Sequence, residues 1–380
     1  MLAANTPSDR LARWVTYREI IAQPDIWRGW ASELERHAAG ISAWFAADAY
    51  DEIWLCGAGT SAFIGEALAA HLNRAPNPVR YRSIPTTDLV ASPGSYLRPN
   101  AAILVISFGR SGDSPETLGL LDLLDAHMPQ ADQLHFTCNP QGALAQRKAA
   151  GSARRHVVLL PAATNDAGFA MTSSYSTMLI SALACLDPQA PASLEGRIAG
   201  LARGAEALIA DMQNQMDGGK PCPSRVVFLG SGVLTAFARE AALKVLELTH
   251  GRIPAYWETA LGFRHGPKAI LDDDARVFSF LASAPHTRRY EEDAAAELRR
   301  QFAPQTVVRL GPKDCGPDIA VEGAEQDIWR GVLYVVAAQV VAVWWSDLLG
   351  FNVDNPFADG TLSRVVSGVA IYPYQTGAPL

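Results

Sequence analysis

Residues 52–72 read EIWLCGAGTSAFIGEALAAHL. Glu52 to Cys56 is a short, almost wholly apolar run, as expected of a strand buried on both faces of a parallel sheet. It runs into Gly57-Ala58-Gly59-Thr60-Ser61, and a helix is expected from Ala62 to Leu72. Glycines let a backbone come close to a ligand, and a helix N-terminus offers unpaired N–H groups and a favourable dipole to an anion. The same turn also reads as a tight strand-to-helix corner with a Thr/Ser cap. A dinucleotide fingerprint would need glycine at 62, where Ala62 stands, and no acidic residue ends a second strand to hold a ribose.

The strand–turn–helix unit recurs. Ala101 to Ile106 is a second apolar strand, followed by the loop from Ser107 to Ser114 and a helix from Pro115. Strands Gln133–Thr137 and His156–Leu160 and a helix Thr172–Leu186 complete the first half. The second half repeats this order about 170 residues later. Strand Arg225–Leu229 meets Gly230-Ser231-Gly232 and a helix carrying Lys244 and Glu247. Strand Arg276–Phe280, helix Arg289–Gln301, strand Thr306–Leu310 and a long apolar helix Ile328–Leu349 follow. Alternation of strands and helices predicts an α/β fold of two tandem domains, each a parallel sheet flanked by helices. Residues 1–48 form a helical lead-in broken at Gln23-Pro24. The two domains span 49–190 and 205–350, and 351–380 is a tail. The linker is expected near Asp187–Pro191 or in the loop Asp217–Pro221, any helix between them belonging to the second domain.

Composition narrows the function. The 380 residues are 49% hydrophobic and 19% charged, with a formal net charge of -7. That acidic balance opposes nonspecific nucleic-acid binding, which needs a basic footprint. It leaves room for an anionic small molecule held by a local nest of N–H groups. Five cysteines, Cys56, Cys138, Cys185, Cys222 and Cys315, form no CxxC pair, as expected of reduced thiols in a cytoplasmic protein. No apolar signal segment opens the chain. The run Val332–Trp345, interrupted by Gln339, is expected to be a core helix and not a membrane span.

Four places carry the chemistry. The loop Ser107-Phe108-Gly109-Arg110-Ser111-Gly112-Asp113-Ser114 combines hydroxyls, N–H groups and a guanidinium, the parts of a phosphate cradle. Its bland alternative is a well-capped loop with Ser114 as N-cap. Thr172 and Ser173 open a helix, most simply as caps, and equally suit a sugar hydroxyl site. Lys244 and Glu247 share a helix face. They form either an exposed ion pair or, given their apolar flanks, a cleft in which the carboxylate becomes a better base. His265 sits in the loop Phe263-Arg264-His265-Gly266-Pro267. A carboxylate and an imidazole so placed are equipment for moving protons on a small carbonyl compound. No metal-ligand constellation accompanies them.

With these residues in view, the chain resembles the tandem sugar isomerase (SIS) domain family. The segments GAGTSAFIG, ISFGRSGDSPET, TCNPQGAL, GFAMTSS, LGSGVLTAFAREAALKVLEL and GFRHGPKAI are similar to its galactosamine-6-phosphate deaminase/isomerase branch, also labelled tagatose-6-phosphate ketose/aldose isomerase. The isomerase half of glucosamine-6-phosphate synthase is a more distant relative. The resemblance implies flavodoxin-like three-layer α/β/α domains. It implies phosphate binding by Ser61 and by the loop of Arg110, Ser111 and Ser114, with Thr60 and Ser107 beside them. It implies Glu247 as the base moving a proton between C1 and C2, Lys244 beside it, and His265 as a ring-opening group supplied by a neighbouring subunit. Arg110 stands where the synthase has Gln, and Arg364 stands near a substrate-contacting lysine of that relative.

The expected activity converts galactosamine 6-phosphate to tagatose 6-phosphate and ammonia, with no metal or redox cofactor. The alternatives are a non-deaminating ketose/aldose isomerase, a glucosamine-6-phosphate deaminase, and a sugar-phosphate-sensing regulator without catalysis. The expected partners are a phosphorylated hexosamine or ketohexose and further copies of the chain, in a homodimer or higher homo-oligomer, with neither nucleic acid nor membrane. A regulator would usually carry a DNA-binding headpiece, and the first 48 residues hold no basic helix-turn-helix.

Overall fold

A computed structural model describes residues 7–47, 49–74, 79–187, 193–217, 222–366 and 368–375. The expected linker residues 188–191 and 218–221 lie outside the described residues. The chain begins with α1 (Pro7–Leu11) and α2 (Val15–Ala47). The expected break at Gln23-Pro24 does not occur, and Pro24 lies inside α2. A proline there leaves the carbonyl four residues earlier without its amide donor. The Gln23 side-chain amide supplies the replacement, donating to the Ile20 carbonyl at 3.1 Å and to Gln339 Oε1 at 2.9 Å. The start of α2 is capped from a distance: both Asp354 carboxylate oxygens accept, from the Val15 and Thr16 amides.

The chain divides into two compact units. One comprises 32–165, 174–190 and 362–380. Within it run β1 (Glu52–Cys56), α3 (Thr60–Leu72), β2 (Arg80–Ser83), α4 (Thr86–Ala91), β3 (Ile103–Gly109), α5 (Pro115–His127), β4 (Asp132–Thr137), α6 (Ala143–Gln146) and β5 (Arg155–Leu159). Most of α7 (Ser173–Leu186) belongs here too. The five strands are parallel in the order β2-β1-β3-β4-β5. All seven β3 residues are buried, as are the six of β4, and Phe108 stacks on Phe136 across them. On one sheet face Trp54, Ile103 and Val105 pack with Leu89, Leu120 and Leu124 of the covering helices.

The other unit comprises 1–31, 166–173 and 191–361. It contains α8 (Leu194–Asp217), β6 (Val226–Gly230), α9 (Leu234–Leu248), β7 (Ala255–Glu258), β8 (Arg276–Phe280), α10 (Pro285–Gln301), β9 (Val307–Gly311), β10 (Ile319–Ala320) and α11 (Asp327–Leu348). Its parallel sheet runs β7-β6-β8-β9-β10, the same path as the first. The duplication read from the sequence is therefore a duplication of topology. α11 meets the length and apolarity of a membrane span, yet it is almost entirely buried inside this unit against α8 and α9. Its approach to α9 is close: a Cβ on Gly331 would stand 2.3 Å from the Phe237 ring. All five cysteines are free thiols.

Candidate active site

In the first sheet the chain leaves β1 for β2 on one side and returns to β3 on the other. The loops after β1 and β3 therefore diverge at the sheet's carboxyl edge, which is where open α/β sheets bind ligands. The register places Cys56 opposite Ser107, so Gly57–Ser61 and the loop beyond Ser107 start side by side. Gly57 is required there: a Cβ would fall 2.5 Å from the Ser61 carbonyl carbon. Helix α3 begins at Thr60, earlier than expected, with Thr60 and Ser61 buried in its first turn.

The second loop is braced from below. The Asn139 side-chain amide donates to the Ser111 carbonyl at 2.9 Å, and Asp113 accepts the Ala143 amide at 2.7 Å. Gly112 takes a positive φ of 71°, open to glycine without strain. Ser114 is the N-cap of α5, accepting from the Thr117 amide, so the capping alternative holds for it. Ser111 Oγ accepts from the Asp113 amide. Ser107 is 2% exposed and its hydroxyl has no hydrogen-bond partner among the described residues. A buried hydroxyl without a partner costs about 1–3 kcal/mol, which a ligand oxygen would offset. Arg110 is buried, and its guanidinium donates to the Arg364 carbonyl at 3.2 Å. The Arg364 side chain is exposed, so this contact is made by the backbone.

In the second unit, α9 carries a ladder of charge. Lys244 lies 3.3 Å from Glu240 and 2.6 Å from Glu247. The exposed ion pair weighed from the sequence is corrected here, since Lys244 and Glu240 are fully buried while Glu247 keeps 21% of its side chain exposed. The apolar setting expected around Glu247 is corrected as well, because an ammonium stands against it. Burial presses the Lys244 pKa down, but Glu240 and Glu247 together outweigh that and hold it above the usual value. Phe263 is buried among Val227, Leu229, Val277 and Leu298, contributing about 2 kcal/mol, and anchors the turn that bears His265. His265 itself is exposed, and among the described residues no hydrogen bond or ion pair joins it to Glu247.

Thr172 and Ser173 are buried, and both hydroxyls are held by the Asp166 carboxylate, Thr172 Oγ1 at 2.9 Å. Asp166 also accepts both their amides, at 2.8 and 3.1 Å. Glu19 braces the same turn by accepting the Ala167 amide at 2.5 Å. Burial, reinforced by Asp166, pushes Glu19 up to about 7. The sequence reading missed Asp166, Glu19 and Asn139. Of these only Asn139 had a signal, since an Asn two residues past a buried strand is a common loop brace.

Three comparisons bear on what these residues serve. The SIS domain model matches residues 48–186. The D-galactosamine-6-phosphate deaminase AgaS of Escherichia coli is 38% identical, the match covering 97% of this chain and 98% of that protein. Its namesake in Shewanella sp. (strain ANA-3) is 36% identical over 98% of this chain and 95% of its own length. Among solved structures, the tagatose-6-phosphate ketose/aldose isomerase of Escherichia coli superposes with a TM-score of 0.83 at 35% identity, covering 95% of this chain and 97% of that one.

Proposed function

From the premise that this chain belongs to the SIS-domain family, we propose that it is a deaminating aldose–ketose isomerase acting on galactosamine 6-phosphate. The 6-phosphate docks at the first sheet's carboxyl edge, on Ser61, Ser107, Arg110, Ser111 and Ser114, with Thr60 beside them. His265 opens the pyranose and is offered to a neighbouring copy in a homo-oligomer. Glu247 takes the proton from C2 of the open-chain 2-amino aldehyde and returns one to C1. The C1 aldehyde becomes an alcohol and C2 becomes an imine. Water adds to C2, ammonia leaves, and tagatose 6-phosphate remains. Lys244, sealed behind Glu247, holds that carboxylate in place and lends its positive field to the charge that develops on the enolamine. Asp166 holds Thr172 and Ser173 in place for the sugar hydroxyls, and Arg364 lies near the mouth of the phosphate loop.

Glu247, held on a buried ammonium yet reached by solvent, carries this reading. A carboxylate so fixed keeps its orientation without being sealed from a substrate. A sensor would need the phosphate loop but not this ladder. The likeness to the solved ketose/aldose isomerase of Escherichia coli favours a second reading, ketose–aldose isomerisation without ammonia release. One assay separates them: galactosamine 6-phosphate, glucosamine 6-phosphate and tagatose 6-phosphate are each incubated with the protein, and ammonia and ketose are measured separately. Equal ammonia and ketose from galactosamine 6-phosphate is the expected result. Aldose formed from tagatose 6-phosphate with no ammonia from either amino sugar would replace deamination by plain isomerisation.

A further inference from the structure

The two sheets share one topology but treat their carboxyl edges differently. In the first, the switch between β1 and β3 holds the buried Ser107 hydroxyl, which has no partner among the described residues. In the second, the corresponding switch lies between β6 and β8, and the chain fills it with its own carboxyl group. Glu291 of α10 is buried, and its Oε2 accepts the amide of Ala282, just past β8, at 2.7 Å. A ligand at this edge must therefore bind elsewhere.

A cavity of about 580 Å³ opens further along the same edge, beyond β9 and β10. Small-molecule sites commonly have roughly 300–1,000 Å³. Its wall includes the first turn of α8, where Ser193 caps the Gly196 amide at 3.1 Å, so a helix N-terminus faces it. Three cations line it: Arg197, Lys313 and Arg330. The Arg197 guanidinium lies 5.3 Å from the Trp329 ring centroid and has no carboxylate partner among the described residues. Its Nε is buried without a hydrogen bond. Arg330 is 5% exposed. It bonds Ser283 Oγ and the Ala324 carbonyl and lies 3.5 Å from the Asp327 carboxylate, yet its Nε is buried with no partner among the described residues. Lys313 is exposed and makes no ion pair among the described residues. Three exposed carboxylates, Asp314, Glu322 and Glu325, line the same cavity.

A simple anion would meet those carboxylates as well as the cations. A molecule carrying both an anionic and a cationic group satisfies both sets. We infer that this cavity is a second ligand site, which takes an amino-sugar phosphate with its phosphate on Arg197, Lys313 and Arg330 and its ammonium on the acidic rim. The ligand class rests on the proposed function; the cavity and its charges do not. The site shares no residue with the phosphate loop or with the ladder on α9.

The test uses the full chain and 2-amino-2-deoxygalactitol 6-phosphate, which has no aldehyde and cannot turn over. Calorimetric titration should show two binding events per chain. Arg197→Ala and, separately, Lys313→Glu should weaken one of them by on the order of tenfold or more, leaving the other intact. Arg110→Ala should do the reverse. Galactitol 6-phosphate, without the amine, should lose affinity for the Arg197-dependent site only. A single event, or a second event indifferent to both Arg197→Ala and Lys313→Glu, overturns the site. Equal affinity for the two hexitol phosphates at that site overturns its choice of an amine. If the protein releases no ammonia from galactosamine 6-phosphate but the Arg197-dependent event persists, the proposed function fails and the site stands.

Discussion

Lys244 is sealed from solvent between two carboxylates, one of which, Glu247, reaches the surface at 2.6 Å from its ammonium. The pair is asymmetric: the cation and Glu240 are committed to the interior, and Glu247 alone can meet a substrate. Removing the cation takes from the buried Glu240 the ammonium that lies 3.3 Å away. Lys244→Met should therefore lower stability by about 3–5 kcal/mol, read from the urea midpoint. Adding Glu240→Leu should recover most of that loss. A single variant as stable as the parent would show that Glu240 is not ionised in the folded protein.

Glu247→Gln keeps the size and hydrogen-bonding reach of the side chain but cannot accept a proton. Turnover should fall by a factor on the order of 10² or more with KM little changed. Mixing Glu247→Gln chains with His265→Ala chains, each nearly inactive alone, should restore activity on subunit exchange, because a mixed assembly holds one site with both groups intact. Persistent inactivity after proven exchange would put both residues in the site of a single chain.

The phosphate loop should show its role in KM. Arg110→Ala removes the buried guanidinium and should raise KM for the sugar phosphate on the order of tenfold or more, with a smaller change in kcat. Ser107→Ala removes a hydroxyl that has no hydrogen-bond partner among the described residues. It should leave the unliganded protein as stable or slightly more stable while weakening substrate binding. A Ser107→Ala variant with lower stability and unchanged KM would assign that hydroxyl to the core instead.

Two carboxyls, the buried Glu291 and the half-buried Glu19, give the folded protein a pH signature. Burial pushes Glu291 up to about 7, opposed by the Ala282 amide and Ser231 and reinforced by Asp327; Glu19 is raised to the same region. A carboxyl whose folded pKa lies above its unfolded value contributes stability that is full below about 4.5 and is lost as pH rises through 7. For Glu291 the loss is about 3 kcal/mol. Urea midpoints should fall between pH 5 and pH 8, and the fall should be smaller in Glu291→Gln. Parallel pH profiles for the two proteins would contradict this origin.

The sheets were legible from sequence where strands are buried on both faces. β1, β3, β4, β6, β8 and β9 stand within a few residues of their expected places because central parallel strands are continuous apolar runs. The strands missed, β2, β7 and β10, are all edge strands, whereas the edge strand β5 lies within one residue of its expected place. Three of the four β2 residues, Arg80, Arg82 and Ser83, are polar, and β10 is only two residues long. Helix α8 was left without bounds, although Leu194, Ile198, Leu201, Leu208 and Met212 recur at helical spacing and form its buried face. At the candidate site, Glu247 and the Ser107–Ser114 loop were visible as residue types. That Lys244 is wholly buried, and that Asp166 holds Thr172 and Ser173, depends on neighbours distant in the chain.

Pro24 and Gln23 bear on the history of the chain as well as on its structure. A proline arising at position 24 before a side-chain donor stood at 23 would leave the Ile20 carbonyl unpaired inside a long helix. Arising after it, the same change meets a carbonyl already served. The order of the two substitutions is therefore constrained. Homologues should carry the glutamine without the proline more often than the proline without a residue able to donate from position 23. The same asymmetry warns that a chimera joined between these two positions would inherit the defect without its remedy.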